Sequence, residues 1–90
     1  MIKNRYIGKF WIPLSVINDR PSEVLDITRT MIIIEAKIDP CTDSVEYTAI
    51  DPSLFKPVPV GVRCLLYRII YDAEKKKCTA EKVFTPNIYY

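Results

Sequence analysis

Two segments of this 90-residue chain are strongly apolar: residues 30–38 contain four isoleucines, and residues 62–71 contain seven isoleucine, leucine, valine and tyrosine residues. β-Branched and aromatic residues favour extended strands. The second segment is apolar at both its odd and its even positions, which is typical of a strand that is covered on both faces. These two segments therefore constrain the chain to fold around a β-sheet.

The residues that follow each segment predict a β-hairpin. The first segment leads through the polar turn 39–43 into residues 45–50, where apolar and polar side chains alternate. The second leads through the lysine-rich turn 73–77 into residues 78–84. Acidic residues in such turns favour turn formation over catalysis. Two hairpins thus supply four strands.

Prolines and capping residues define the remaining elements. Residues 6–12 predict a further strand, and Pro13 removes a backbone donor, so we expect residues 14–17 to continue extended at an edge or past a bend. Residues 22–28 and 51–55 each begin with a capping residue and predict a short helical turn.

These elements predict a mainly β fold, of the β-rich α+β class, in which residues 1–90 form a single domain. We expect a five- to six-stranded, mostly antiparallel sheet that is curled or forms a half-open barrel. One or two short helical turns would cover an open end.

No residue pattern in the sequence indicates catalysis. The chain has no histidine, which is the commonest general acid–base residue, and it lacks a glycine-rich phosphate loop and a nucleophile elbow. Cys41, Cys64 and Cys78 form no Cys-x-x-Cys pair that could hold zinc. We therefore expect a protein that is not an enzyme and binds neither a metal nor a cofactor.

The cysteines and the apolar runs also indicate a cellular setting. An odd number of cysteines at irregular spacing favours the reducing cytoplasm over a secreted disulfide scaffold. The apolar runs are much shorter than a membrane span. We expect a cytoplasmic protein without a membrane partner, and its small size is typical of phage and mobile-element accessory proteins.

Large apolar and aromatic side chains at several positions exceed what a small sheet can bury, which favours a protein–protein interface. We therefore expect an inhibitor- or adaptor-like interaction protein that acts as a homo-oligomer. The alternative is that the last residues cover the protein's own core. The candidate interface residues are Trp11, Met31, Ile33, Ile88, Tyr89 and Tyr90.

The second hairpin offers an alternative function, a site for a nucleotide or for single-stranded nucleic acid. Aromatic side chains beside basic ones can stack on bases and contact phosphates. However, neighbouring strand positions point to opposite faces, and a net charge of +2 is low for a nucleic-acid-binding domain. Arg68 can also pair with Glu46 or Asp72 of the same chain instead of an anionic ligand. The candidate ligand-binding residues are Arg63, Tyr67, Arg68 and Tyr71.

Overall fold

A five-stranded sheet forms the centre of the computed structural model, which describes residues 4–59, 61 and 63–83. Its strands are β2 (Ile7–Pro13), β3 (Ile32–Asp39), β4 (Ser44–Ile50), β6 (Leu65–Asp72) and β7 (Lys77–Lys82), in the order β3-β4-β2-β6-β7. A separate two-stranded ribbon joins β1 (Asn4–Arg5) to β5 (Val58–Pro59). The prediction of a mainly β fold is confirmed.

The main sheet is mixed because one of its ladders is parallel. β2 pairs antiparallel with β4, but it runs parallel to β6, with Gly8 opposite Leu65 and Lys9 opposite Leu66. The expectation of a mostly antiparallel sheet is corrected, since the sheet is mixed, and the sheet is not closed into a barrel. The parallel ladder joins strands that are far apart in sequence, so no local pattern announces it.

Both predicted hairpins are present. β3 leads into β4, and β6 leads into β7, through short polar turns. An aspartate opens each turn and accepts a backbone hydrogen bond from the residue two positions on. Asp39 accepts from the N–H of Cys41 at 3.0 Å, and Asp72 accepts from the N–H of Glu74 at 3.0 Å. These two acids therefore act as turn formers.

Two helices, α1 (Leu14–Asp19) and α2 (Pro21–Thr28), follow β2 directly. The expectation that residues 14–17 stay extended was wrong, because Pro13 ends the strand and the chain turns immediately into α1. Arg20 alone separates the helices, and its N–H donates to the carbonyl of Val16 at 2.8 Å. Pro21 occupies the start of α2, where a missing N–H costs nothing.

The core lies between the two helices and one face of the sheet. Strand alternation places Phe10 and Ile12 on this face and Trp11 on the other. The ring of Phe55 lies 4.8 Å from that of Tyr67 and 6.2 Å from that of Phe10. The buried core comprises Phe10, Ile12, Ile27, Met31, Ala49, Phe55 and Tyr67.

Gly8 lets the aromatic rings lie directly on β2. A Cβ atom at this position would lie 2.7 Å from the ring of Tyr67 and 2.8 Å from the ring of Phe55. Real Cβ atoms do not approach other atoms so closely, and a packed core cannot absorb such an overlap without strain. Glycine at this position therefore allows β6 to pack beside β2.

A buried carboxylate ties the start of β3 to the turn that follows β4. Asp51 is 2% exposed and accepts hydrogen bonds from Thr30 Oγ1 at 2.6 Å, Ser53 Oγ at 2.6 Å and the N–H of Ser53 at 2.9 Å. Burial alone would raise the pKa of Asp51, but the hydrogen bonds from Ser53 and Thr30 outweigh it, so the pKa is lowered. The ionised form is thus the one that the fold favours.

We expect Asp51→Ala to lower the free energy of unfolding by about 2 kcal/mol, because it removes the carboxylate that accepts the hydrogen bonds of Thr30 and Ser53. Urea denaturation at neutral pH measures this, with Asp19→Ala, which removes an exposed carboxylate, as the matched control. Since folding lowers the pKa, the contribution is present above the unfolded carboxyl's pKa of about 4 and is lost as the pH falls through the folded value. Equal effects of the two substitutions would contradict the assigned role.

Tyr71 connects β6 to α2 in a way that titrates at high pH. Its hydroxyl donates to Asp26 Oδ2 at 2.6 Å. This hydrogen bond, together with burial and the charge of Asp26, raises the pKa of Tyr71 to about 12. Because the folded pKa is raised, the stability that this hydroxyl contributes is complete below the unfolded pKa of about 10 and disappears as the pH rises through the folded value.

We expect the stability difference between the wild type and Tyr71→Phe to shrink as the pH rises from about 9 to about 12. Denaturant unfolding across this range measures it. Tyr6→Phe, which changes an exposed tyrosine, is the control. A difference for Tyr71→Phe that stays constant up to the highest pH would show that the hydrogen bond to Asp26 is not made in solution.

Candidate protein-interaction site

β3 is exposed along its length although it is rich in isoleucine. Every residue from Ile32 to Ile38 is exposed, and Asp39 is half-buried. The exposed fractions of Ile32, Ile34 and Ile38 are 66%, 54% and 70%. Isolated exposed isoleucines are common on protein surfaces, but several along one strand offer apolar surface that a partner could cover.

Among the described residues, no strand pairs with the outer side of β3. β3 is the terminal strand of the sheet, and β4 is its only strand partner among the described residues. A terminal strand presents alternate N–H and C=O groups along its outer side, which can pair with an added strand. We refer to the outer side of Ile32–Asp39 as the β3 edge.

The helices leave the β3 edge accessible because they pack elsewhere on the sheet. α1 contacts β2 and β4, and α2 contacts β6 and β7. This arrangement follows from the connections, since α1 begins directly after β2 and α2 follows α1 with one residue between them. Among the described residues, the helix layer therefore lies mainly over the strands other than β3.

A β-bulge at Ile34 divides the edge into two parts. Ile33 lies opposite Ala49 and Glu35 lies opposite Thr48, so that Ile34 has no opposite residue on β4. Bulges increase the local twist and limit strand pairing at edges. The regular part of the edge is therefore the stretch that follows the bulge, from Glu35 to Asp39.

Charged residues mark the face of β3 that points away from the helices. Lys37 Nζ lies 3.5 Å from Glu35 Oε1 on the same strand, and Lys37 lies opposite Glu46 on β4. Glu46 in turn pairs with Lys9 of β2 at 3.4 Å. Exposed pairs of this kind add little stability on their own. Their alternating signs do give the edge a defined charge pattern.

The structure places the interface residues that the sequence suggested in different environments. Trp11 and Ile33 are exposed, whereas Met31 is buried in the core of the same chain. Residues 88–90, which are Ile88, Tyr89 and Tyr90, lie outside the described residues. Sequence analysis missed Ile32, Ile34 and Ile38, because their exposure follows from the strand order. The position of β3 next to a hairpin turn is compatible with an edge strand but does not identify one.

The candidate ligand-binding residues do not form one platform. Tyr67 and Tyr71 lie on the helix-covered face, and Tyr67 is buried. Arg68 is exposed on the opposite face and its Nη2 lies 3.0 Å from Glu81 Oε1. Arg63 is exposed just before β6. The intrachain carboxylate partner expected for Arg68 is thus present, although it is Glu81 and not Glu46 or Asp72.

A groove between α2 and the β6–β7 turn lies beside Tyr71, and residues of both charge signs line it. Arg20 Nε lies 3.3 Å from Glu23 Oε2, and Tyr71 donates to Asp26. Because these polar groups satisfy one another, the groove offers little uncompensated charge to a ligand.

The three cysteines are free thiols that differ in their exposure. Cys41 is exposed, and Cys64 and Cys78 are partly buried, all as free thiols. Burial, together with the charge of Asp51, raises the pKa of the Cys78 thiol and so disfavours its thiolate. No cluster of three or more histidine, cysteine, aspartate or glutamate residues that could hold a metal ion occurs in the described part of the chain. Among the same residues, no helix combines the length and the apolarity that a membrane crossing requires.

A scan against models of protein families found no matching family. Searches of curated proteins and of solved structures also gave no match.

Proposed function

We propose that this protein is a non-enzymatic protein-interaction module that binds its partner by strand addition at the β3 edge. The observation that carries the proposal is that the terminal strand is rich in isoleucine and exposed from Ile32 to Ile38. In strand addition, an extended segment of the partner pairs with the free backbone groups, and side-chain contacts provide selectivity. A protein that acts in this way would serve as an inhibitor or an adaptor.

The apolar surface at the β3 edge supports a binding role energetically. Full burial of one isoleucine contributes about 1.5–3 kcal/mol. For the exposed fractions of Ile32, Ile34 and Ile38, complete burial would contribute about 3–6 kcal/mol in total. This is comparable to the lower range of the entropic cost of association. A partner that also makes backbone hydrogen bonds is therefore favoured over one that makes side-chain contacts alone.

Two further observations fit this proposal. The polar residues Glu35 and Lys37 interrupt the isoleucines, which is typical of an interface whose rim remains hydrated. Three free cysteines fit a protein of the reducing cytoplasm. By contrast, a nucleotide or single-stranded nucleic acid has weaker support, since Glu81 neutralises Arg68 and Tyr67 is too buried to stack on a base.

Peptide selection tests the proposal. A displayed library of random extended peptides is selected against the wild-type protein, and the recovered peptides are then titrated against two variants. We expect Ile38→Lys to weaken peptide binding about tenfold or more, because a charged ammonium replaces apolar contact at the edge. Leu25→Lys is the matched control, since Leu25 on α2 has the same exposed fraction as Ile38, 70%.

Amide hydrogen exchange completes this experiment. Bound peptide should protect amides of β3 and leave those of α2 unchanged. Peptides whose affinity is the same for both variants, or a selection that yields no binder dependent on β3, would contradict strand addition at this edge.

A further inference from the structure

The sequence of β3 is complementary to itself when two copies run antiparallel. We propose that the β3 edge pairs with the β3 edge of a second copy of this chain, about a two-fold axis at Ala36. This inference rests on the proposed function and names its partner. In the resulting register, Glu35 of each copy lies opposite Lys37 of the other, and Ala36 lies opposite Ala36.

The charge pattern of β3 selects this register over its neighbours. A two-fold axis between paired strands runs perpendicular to the sheet and passes through a residue that faces its own copy. An axis at Glu35 would place two glutamates directly opposite each other, and an axis at Lys37 would place two lysines opposite each other. Like charges in these positions are destabilising, whereas opposite charges are favourable. The axis at Ala36 forms two pairs of opposite charge.

The side chains on either side of these charges also match. The axis at Ala36 brings Ile34 of one copy, at the bulge where the regular ladder ends, next to Ile38 of the other, and the same contact occurs twice. These residues are 54% and 70% exposed in the single chain, so each would cover apolar surface of its counterpart. Ala36 at the centre is small and lets the two strands approach without obstruction.

The surrounding fold accommodates the second copy. Antiparallel ladders alternate between two kinds of residue pair, and a two-fold axis can pass through either kind. The bulge at Ile34 ends the regular ladder, so the paired segment is centred on Glu35, Ala36 and Lys37. The main contacts of the helices are with β2, β4, β6 and β7 and not with β3. The two sheets would then form one continuous sheet, with the helices of both copies on the same face.

Charge reversal with complementation tests the register. Glu35→Lys places lysine opposite Lys37 of the second copy, and Lys37→Glu places glutamate opposite Glu35. We expect each single variant to weaken the dimer about 10- to 100-fold relative to the wild type. An equimolar mixture of the two single variants should restore association as a heterodimer, because both cross-strand pairs then have opposite charges. The double variant E35K/K37E should restore the homodimer for the same reason.

Sedimentation equilibrium over a range of concentrations measures these dissociation constants, and circular dichroism verifies that each variant is folded. Recovery in the mixture also shows that the single variants remain folded, because two misfolded chains would not complement each other. Singles that dimerise as tightly as the wild type, or a mixture that does not recover, would overturn the proposed register.

The wild-type protein tests whether the chain dimerises at all, independently of the register. A wild type that remains monomeric at every concentration would overturn pairing with a second copy. If its β3 amides were nevertheless protected from exchange, another segment of the same chain would be the occupant of the edge. If the wild type is a monomer whose β3 amides are not protected from exchange, binding of the selected peptides at the β3 edge would still support the proposed function. The two proposals therefore fail separately.

Discussion

The packing of aromatic rings on Gly8 is the contact on which the sheet depends. The rings of Phe55 and Tyr67 occupy the space above this residue that any Cβ atom would fill. The Tyr67 hydroxyl accepts a hydrogen bond from the N–H of Lys56 at 2.9 Å, which fixes the segment that follows β4 against β6. The parallel pairing of β2 with β6 joins the two hairpins into one sheet, and it passes through Gly8. Without the close approach at Gly8, the two hairpins would not share β2 as their common neighbour.

The strand order explains why β3 is exposed. With β2 between the hairpins, one strand of each hairpin becomes internal and the other becomes terminal. Asp51 fixes the start of β3 through Thr30, and Met31 enters the core just before the strand begins. The isoleucines of β3 then extend beyond the area that the helices cover. Their exposure results from topology, and their composition alone would suggest burial.

The features that sequence analysis predicted correctly depend on neighbours along the chain. The two hairpins, the turn-forming acids and the helix over residues 22–28 have their causes within a few residues. Met31 shows the limit of this reasoning. It interrupts a polar strand face in the sequence, yet it lies before β3, where its N–H donates to the carbonyl of Thr28 and its side chain enters the core. The parallel ladder and the exposure of Ile32, Ile34 and Ile38 depend on contacts between distant segments, which a single sequence does not reveal.

The two edges of the sheet differ chemically. β7, at the side opposite β3, carries Lys77, Glu81 and Lys82 beside a lysine-rich turn. Charged side chains of this kind act as gatekeepers against the stacking of further strands. A molecule with one sheet edge that pairs with other copies forms a closed dimer, whereas a molecule with two such edges can polymerise into a filament. The polar β7 edge would thus give this fold protection against fibrous aggregation, despite a row of isoleucines on its other side.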